Sequence, residues 1–220
     1  MRILIVGSGR SGEIDIDADI IVCANSSISR IPKNKDYKII HVASMNLLDP
    51  HIIKTQDHLA VRRRSLLNRE PSELLLYPGR NISIHGCGLN EMSYKPKKII
   101  YLNKYKLWIL VFLTSRFETL KYSLKQKDNI FYNLIRLVKY IYTSNINPYF
   151  IPSTGLFALL YTINRFGKGA EYIVDGISCD KNGFYYMDKF VAPIESDEPQ
   201  HTDFIILPYL KNKFNLTFIE

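Results

Sequence analysis

The feature that most constrains the fold lies at the start of the chain, where a short apolar run ends abruptly in glycines. Residues 3–6 are isoleucine, leucine and valine, and Gly7, Gly9 and Gly12 follow at once. Unbroken apolar strands of this kind are typical of parallel sheets, in which both faces are buried. A glycine turn after such a strand lets backbone N–H groups approach a phosphate, and a following helix N-terminus would add positive potential. The opening therefore predicts an α/β domain.

Strand and helix patterns continue along the rest of the chain. Short apolar runs predict strands at 20–23, 37–42, 82–85, 98–102, 171–174 and 216–219. Apolar spacing predicts helices over 156–164 and over 203–214, the second despite Pro208. Strand, helix and strand in this order indicate a right-handed parallel crossover. Residues 51–70 are polar and basic and are expected to form a helix or a surface loop.

Length and composition fit a single domain, residues 1–220, with 46% hydrophobic and 23% charged residues. The net charge of +8 suits an anionic partner such as a nucleotide, an acidic glycan, nucleic acid or a membrane surface, although a soluble basic protein fits equally. Cys23, Cys87 and Cys179 include no close pair, which favours free thiols in a reducing cytoplasm over a disulfide or zinc framework. The longest apolar run, 107–113, is too short to span a bilayer, so we expect membrane contact to be peripheral at most.

The middle of the chain is strongly basic. Residues 95–139 hold eleven Lys and Arg against two acids, Glu118 and Asp128, with tyrosines and phenylalanines interleaved. Asp128 or Asn129 is expected to cap a helix there. Such a segment suits an acidic acceptor or a membrane surface, and it equally suits a solvated helix face over a core stripe. We take residues 103–150 as a candidate basic lid or acceptor region.

The end of the second predicted strand argues against a dinucleotide site. Dinucleotide folds place an acid about 20 residues after the glycine turn, at the end of strand two. This chain has Cys23-Ala24-Asn25-Ser26 there. An asparagine offers both an acceptor and donors to a base or ribose, so Asn25 remains a candidate nucleotide contact.

Three acids before the second strand resemble a metal motif. Asp15, Asp17 and Asp19 could hold the divalent ion that many nucleotide-sugar enzymes set against a diphosphate. They alternate with Ile16 and Ala18, however, which favours a solvated strand edge.

Two further groups in the last third of the chain could carry chemistry. Ser153, Thr154 and Gly155 precede a helix, where hydroxyls and free N–H groups can hold a carboxylate or phosphate. The same residues also fit a helix N-cap with no ligand. His201 lies among acidic residues that would orient its ring for general base catalysis, and an exposed loop histidine is the alternative.

Several of these motifs, taken in order, resemble bacterial CMP-sialic acid sialyltransferases. The resemblance rests on the PSTGL string at 152–156, Asp175-Gly176-Ile177, the segment 182–186 and His201. The PSTGL string also resembles the small motif of animal sialyltransferases. The turn at 6–9 and the strand end at 23–25 are similar to the family's CMP-binding start. The resemblance covers residues 1–30 and 150–220.

The resemblance implies a fold and a reaction. The fold would be a Rossmann-like, mostly parallel sheet with helices on both faces, as a GT-A-like variant carrying a small basic helical lid. The reaction would be an inverting, metal-independent transfer of sialic acid or a related acidic sugar from a CMP-activated donor to a hydroxyl of a glycan or glycolipid. No cofactor and no nucleic acid partner are implied, and the location would be cytoplasmic, with peripheral contact at the inner face of the membrane.

The resemblance also assigns roles by position. His201 would deprotonate the acceptor hydroxyl, and Tyr186, with Tyr185, would bind the departing phosphate, whose charge hydroxyl donors can stabilise in place of a metal. The expected substrate-binding residues are Gly7, Ser8, Gly9, Asn25, Ser153, Thr154, Gly155, Gly176 and Asp180. The chain departs from the family pattern at Ser8, where bacterial members have asparagine, at Ile151, where they place an arginine, and at Ser178 and Asp180, which replace an acid and a tyrosine.

Two other functions remain open from the sequence. One is a glycosyltransferase for another nucleotide sugar, with Mn²⁺ or Mg²⁺ held by Asp15, Asp17 and Asp19. The other is a non-catalytic nucleotide- or glycan-binding module. Nucleic acid binding rests on net charge alone.

Overall fold

The structure, a computed structural model, describes residues 1–9, 12–33, 36–44, 64–77, 93–102, 153–177 and 203–219. Seven strands lie in these segments: β1 Arg2–Val6, β2 Ile20–Ala24, β3 Lys38–Ser44, β4 Glu73–Tyr77, β5 Ile99–Tyr101, β6 Glu171–Asp175 and β7 Leu216–Ile219. The helices are α1 Thr154–Phe166 and α2 Asp203–Lys211, with two short 3₁₀ helices, η1 Asn25–Arg30 and η2 Gly167–Gly169.

The seven strands form one sheet in the order β5-β4-β3-β2-β1-β6-β7. All six pairings are parallel. The chain builds outward from β1 to β5 and then returns to the other side of β1, so the strand order reverses between β1 and β6. This order confirms the predicted parallel α/β sheet and is Rossmann-like.

Alternation along the strands creates two apolar layers. Ile3 and Ile5 of β1 face one layer, while Leu4 and Val6 face the other. All four side chains are fully buried, as expected for a strand in the middle of a sheet covered on both faces.

The first layer is covered by both α-helices. Helix α1 begins where the Ser153 hydroxyl oxygen accepts the Leu156 N–H at 3.0 Å, and it ends at Phe166, before Gly167 with its φ of 70°. Eight of its residues are buried, and it packs over β1, β2 and β3. Helix α2 adds Ile206, Leu207 and Leu210 to the same cluster.

The second layer has a different cover. Ile28 of η1 packs there together with Ile14, Leu66 and Tyr94, all from outside the regular strands and α-helices. Within the described segments, α-helices therefore cover one face only, where helices were expected on both. The helix predicted near Asp128 and the lid 103–150 lie outside the described residues.

Most predicted elements are present, with two differences. Strand β4 was not predicted, because Leu74–Leu76 is too short an apolar run to stand out from its polar surroundings. Helix α2 ends at Lys211 and not at 214, since the N–H groups of Lys213 and Phe214 both turn back to the carbonyl of Leu210. The predicted strand 82–85 lies outside the described residues.

Among the described helices, none is long and apolar enough to cross a membrane.

Candidate functional site

The candidate site lies where the strand order reverses, at the carboxyl ends of β1 and β6. Parallel α/β sheets bind ligands outside this edge, because the loops after the two strands run to opposite sides and leave a crevice. Here those loops begin with Gly7 after β1 and with Gly176 after β6.

The two loops are joined through their backbones. The Gly7 N–H donates to the Asp175 carbonyl at 2.7 Å, and the Gly9 N–H donates to the Gly176 carbonyl at 2.9 Å. A Cβ on Gly7 would overlap the Gly176 carbonyl oxygen, and Gly176 itself has a φ of 70°. Both positions thus require glycine. The Gly7 and Gly9 N–H groups, which were expected to approach a phosphate, therefore bond within the protein in this structure.

The chain after the glycine turn is extended. Residues 13–18 carry no helix, and burial alternates, with Ile14 buried and Asp15 and Asp17 exposed. Residues 13–18 therefore provide no helix N-terminus behind the glycine turn, and the exposed acids agree with the solvated edge favoured by the sequence. A period-two pattern of apolar and acidic residues suits an extended segment lying on the sheet, with its acids facing solvent.

The same segment ends at Asp19, on the far side of the sheet from the candidate site. The Asp19 carboxylate accepts the Arg2 N–H at 2.7 Å, and the Asp19 N–H donates to the Arg2 carbonyl at 2.9 Å. Asp19 therefore lies at the amino-terminal end of β1, opposite the candidate site. No cluster of three or more His, Cys, Asp or Glu suited to a metal occurs among the residues described.

A buried ion pair underlies the crevice. The Arg30 Nη2 lies 2.6 Å from Oδ2 of Asp175, and both side chains are 5% exposed. The guanidinium also donates to the carbonyl of Gly12 at 3.0 Å and, more weakly, to that of Gly7 at 3.5 Å. Arg30 of η1 thus contacts the glycine loop at Gly7 and at Gly12, and it also contacts Asp175 at the end of β6. Sequence reasoning missed it, because nothing in the 3₁₀ stretch Asn25–Arg30 marks this residue as buried.

Serine hydroxyls hold the ends of β1 and β2 together. Ser8 donates to the Ala24 carbonyl at 3.2 Å. Ser27 donates to the Val6 carbonyl at 2.7 Å and accepts the Ala24 N–H at 2.8 Å. These contacts bring the glycine loop beside Asn25, which directly follows β2.

Asn25 has an unusual backbone with a buried support. Its φ is 50°, in the left-handed region. Its carbonyl lies 2.8 Å from Nε2 of His41, whose Nδ1 lies 2.6 Å from the Tyr94 hydroxyl. Burial lowers the pKa of His41 to about 4, so the ring is neutral at physiological pH. His41 was placed in a strand from the sequence, but its contact with Asn25 was not foreseen.

The start of α1 completes the edge. Ser153 caps the helix through its side chain, and its carbonyl accepts the Phe157 N–H at 2.8 Å. A Cβ on Gly155 would lie 3.0 Å from Cγ1 of Ile177, the atom that also borders Gly7. Ile177 therefore touches both the glycine loop and the first turn of α1. The Ser153 hydroxyl acts as an N-cap, and Thr154 beside it is partly exposed.

The structure brings together residues that the sequence singled out separately. At the carboxyl edge lie Gly7, Ser8, Gly9, Asn25, Ser153, Thr154, Gly155 and Gly176. The other predicted site residues, Asp180, Tyr185, Tyr186 and His201, lie outside the described residues.

Comparison with known proteins gives no assignment: no family model, no curated protein and no solved structure matches the chain.

Proposed function

We propose that this chain is a glycosyltransferase that transfers sialic acid or a related acidic sugar from a CMP-activated donor to a hydroxyl of a glycan or glycolipid. The observation that carries the proposal is the convergence at one sheet edge. Four segments that resemble sialyltransferase motifs, ending at residues 9, 25, 156 and 177, meet at the reversal of strand order. Such a meeting point is where open α/β sheets bind nucleotides.

The local geometry favours a nucleotide with a single phosphate. A dinucleotide's pyrophosphate needs free loop N–H groups and a helix start behind the first strand. Here Gly7 and Gly9 use their N–H groups internally, and the following segment is extended. The α-helix start that borders this edge in the described segments is that of α1, so it is the natural position for a phosphate or a carboxylate.

The remaining roles follow the sequence resemblance. The Thr154 hydroxyl and the N–H groups of Thr154 and Gly155, which have no carbonyl within the helix to bond, would hold the donor's carboxylate and cytidine side, while the Leu156 N–H is bonded to the Ser153 hydroxyl. Tyr185 and Tyr186 would donate to the leaving phosphate, and His201 would accept the proton of the acceptor hydroxyl. The transition state would be oxocarbenium-like, so positioning and electrostatics supply most of the rate enhancement.

The proposal extends to the finer architecture. The fold would be a GT-A-like variant, and residues 103–150 would form a basic lid over the acceptor. The protein would act in the cytoplasm, with peripheral contact at the inner face of the membrane.

A binding experiment tests the nucleotide site. CMP is titrated calorimetrically into the purified chain in EDTA, with an expected Kd between about 1 µM and 1 mM, the range common for substrates. Thr154→Val should weaken binding by about tenfold, because it removes a hydroxyl and little volume. Thr217→Val, an exposed change on β7, is the matched control and should leave the Kd unchanged. A chain that binds CMP only with Mg²⁺ or Mn²⁺ would contradict metal-independent transfer.

A turnover experiment tests the reaction. Hydrolysis of a CMP-activated sialic acid by the wild type should fall by at least about a hundredfold in His201→Ala, because a general base is lost. His58→Ala serves as the control, because His58 belongs to the polar segment 51–70 and is not one of the predicted site residues. Equal CMP binding by both variants with no turnover by the wild type would instead identify a non-catalytic binding module.

A further inference from the structure

A buried polar chain runs beneath the candidate nucleotide site. His41 lies in the middle of β3 and is fully buried, and Tyr94 is 2% exposed. The two rings meet edge to face at 5.8 Å, in addition to their hydrogen bond. The other end of the chain is the Asn25 carbonyl. A buried histidine with both nitrogens bonded has no evident use in packing alone, since an apolar residue would fill β3 without desolvating polar atoms.

The partners fix the direction of the hydrogen bonds. A carbonyl only accepts, so Nε2 of His41 carries the proton and donates to Asn25. Nδ1 then accepts the Tyr94 O–H. The ionisable groups of the same cluster, Cys23 and Tyr94, stay neutral because burial raises the pKa of each. The charged Arg69, which precedes β4, reaches the far end of η1 and donates to the carbonyls of Ser29 and Ile31. The chain of bonds is therefore neutral and has one direction, from Tyr94 through His41 to Asn25.

Asn25 needs such support. A left-handed φ costs a residue with a side chain about 1 kcal/mol, although asparagine tolerates it better than most. The residue stands at the turn from β2 into η1, beside the Ser8 contact that borders the crevice. The His41 Nε2 lies 2.8 Å from the Asn25 carbonyl oxygen and so fixes the peptide plane that follows Asn25. The same contact fixes the direction in which the backbone turns from β2 into η1.

We propose that His41, oriented by Tyr94, is a positioning residue that holds Asn25 in its left-handed conformation for contact with the nucleotide. This inference rests on the proposed function, because it assigns the support of that same site. His41 does not touch the ligand and acts through Asn25 alone.

A double-mutant cycle on CMP affinity tests the inference. Tyr94→Phe removes only the hydroxyl that orients His41 and should raise the Kd for CMP by about fivefold. Asn25→Gly removes the side chain while keeping a residue that adopts a φ of 50° without strain. In the Asn25→Gly background, Tyr94→Phe should change the Kd by less than about twofold, because the residue being positioned is gone.

The control is Tyr172→Phe. Tyr172 is also buried and also donates to a backbone carbonyl, that of Gly167, but at the amino-terminal end of β6. It should lower stability without changing CMP affinity. Unfolding curves of all variants separate loss of fold from loss of binding.

The outcomes separate the two proposals. Equal effects of Tyr94→Phe in both backgrounds, or wild-type affinity in Asn25→Gly, would overturn the positioning role while leaving CMP binding intact. Absence of CMP binding by the folded wild type would overturn the proposed function and this inference with it.

Discussion

Two charged residues, Arg30 and Asp175, lie buried beneath the candidate site and form an ion pair. Two charges at 5% exposure lose most of their hydration, so their close contact at 2.6 Å offsets a desolvation cost. Removing one partner leaves the other buried without its counter-charge. The pair therefore locks the loops after β1 and β6 together more than it adds net stability.

The ion pair gives the first stability prediction. Arg30→Met should lower the free energy of unfolding by about 3 kcal/mol, because Asp175 stays buried. The matched control is Arg2→Met, which breaks an ion pair with Glu171 whose side chains are 48% and 38% exposed. That change should cost less than about 1 kcal/mol. Urea unfolding measures both, and equal losses would contradict the structural role of Arg30.

The lowered pKa of His41 leads to a prediction of how the free energy of unfolding depends on pH. Its pKa falls from 6.5 to about 4 on folding, so the unfolded chain binds the proton first as the pH drops. The free energy of unfolding should therefore decrease between pH 6.5 and pH 4, by about 3 kcal/mol from this residue. In His41→Gln this part of the pH dependence should vanish.

A second group titrates in a different window. Two hydrogen bonds from Arg165 hold the pKa of the Glu73 carboxyl below its ordinary 4.5, so the stability it provides is lost only below that pH. Unfolding followed by circular dichroism from pH 7 to 3.5 separates the windows. A wild-type stability that stays constant from pH 6.5 to 4.5 would contradict a neutral, buried His41.

At the scale of elements, the β1 and β6 loops are fitted to each other at their backbones. Gly7→Ala places a methyl group onto the Gly176 carbonyl oxygen, and neither backbone can yield without breaking the hydrogen bonds that join the loops. We expect a loss of about 3 kcal/mol or more. Gly169→Ala is the control, since a Cβ there meets nothing within 4 Å and should change stability by no more than about 0.5 kcal/mol. Thermal unfolding gives the midpoint of each variant. Similar midpoints for Gly7→Ala and Gly169→Ala would refute the close approach of the loops after β1 and β6.

The elements also show what the sequence could predict. β1, β2 and β6 are apolar runs with clear ends, and their periodicity is enough to place them in a parallel sheet. Helix α1 was predictable from Ser153 and the apolar spacing after it. Strand β4 was not, because pairing with β3 and β5, and not local pattern, makes Glu73–Tyr77 a strand. The segment after Gly12 was also predictable, because its alternating Ile14, Asp15 and Ile16 favoured a solvated edge, and residues 13–18 carry no helix.

At the scale of the molecule, the sheet order decides which distant residues meet. The sequence named Gly7, Asn25, Ser153 and Gly176 as candidates from local motifs, and the order of strands places them at one edge. The supporting residues could not be found in this way. Arg30 and His41 act through contacts with residues up to 145 positions away, and no local pattern encodes those contacts.

In the proposed function, the carboxyl edge at the β1–β6 reversal binds CMP without a metal. Amide chemical shifts of the ¹⁵N-labelled chain, followed during a CMP titration in EDTA, test it most directly. The largest changes should fall on Ser8, Asn25, Thr154, Gly155 and Gly176, with Asp15, Asp17 and Asp19 unmoved. A titration that moves none of the edge amides at millimolar CMP, or that moves only the acidic segment once Mg²⁺ is added, would contradict the account.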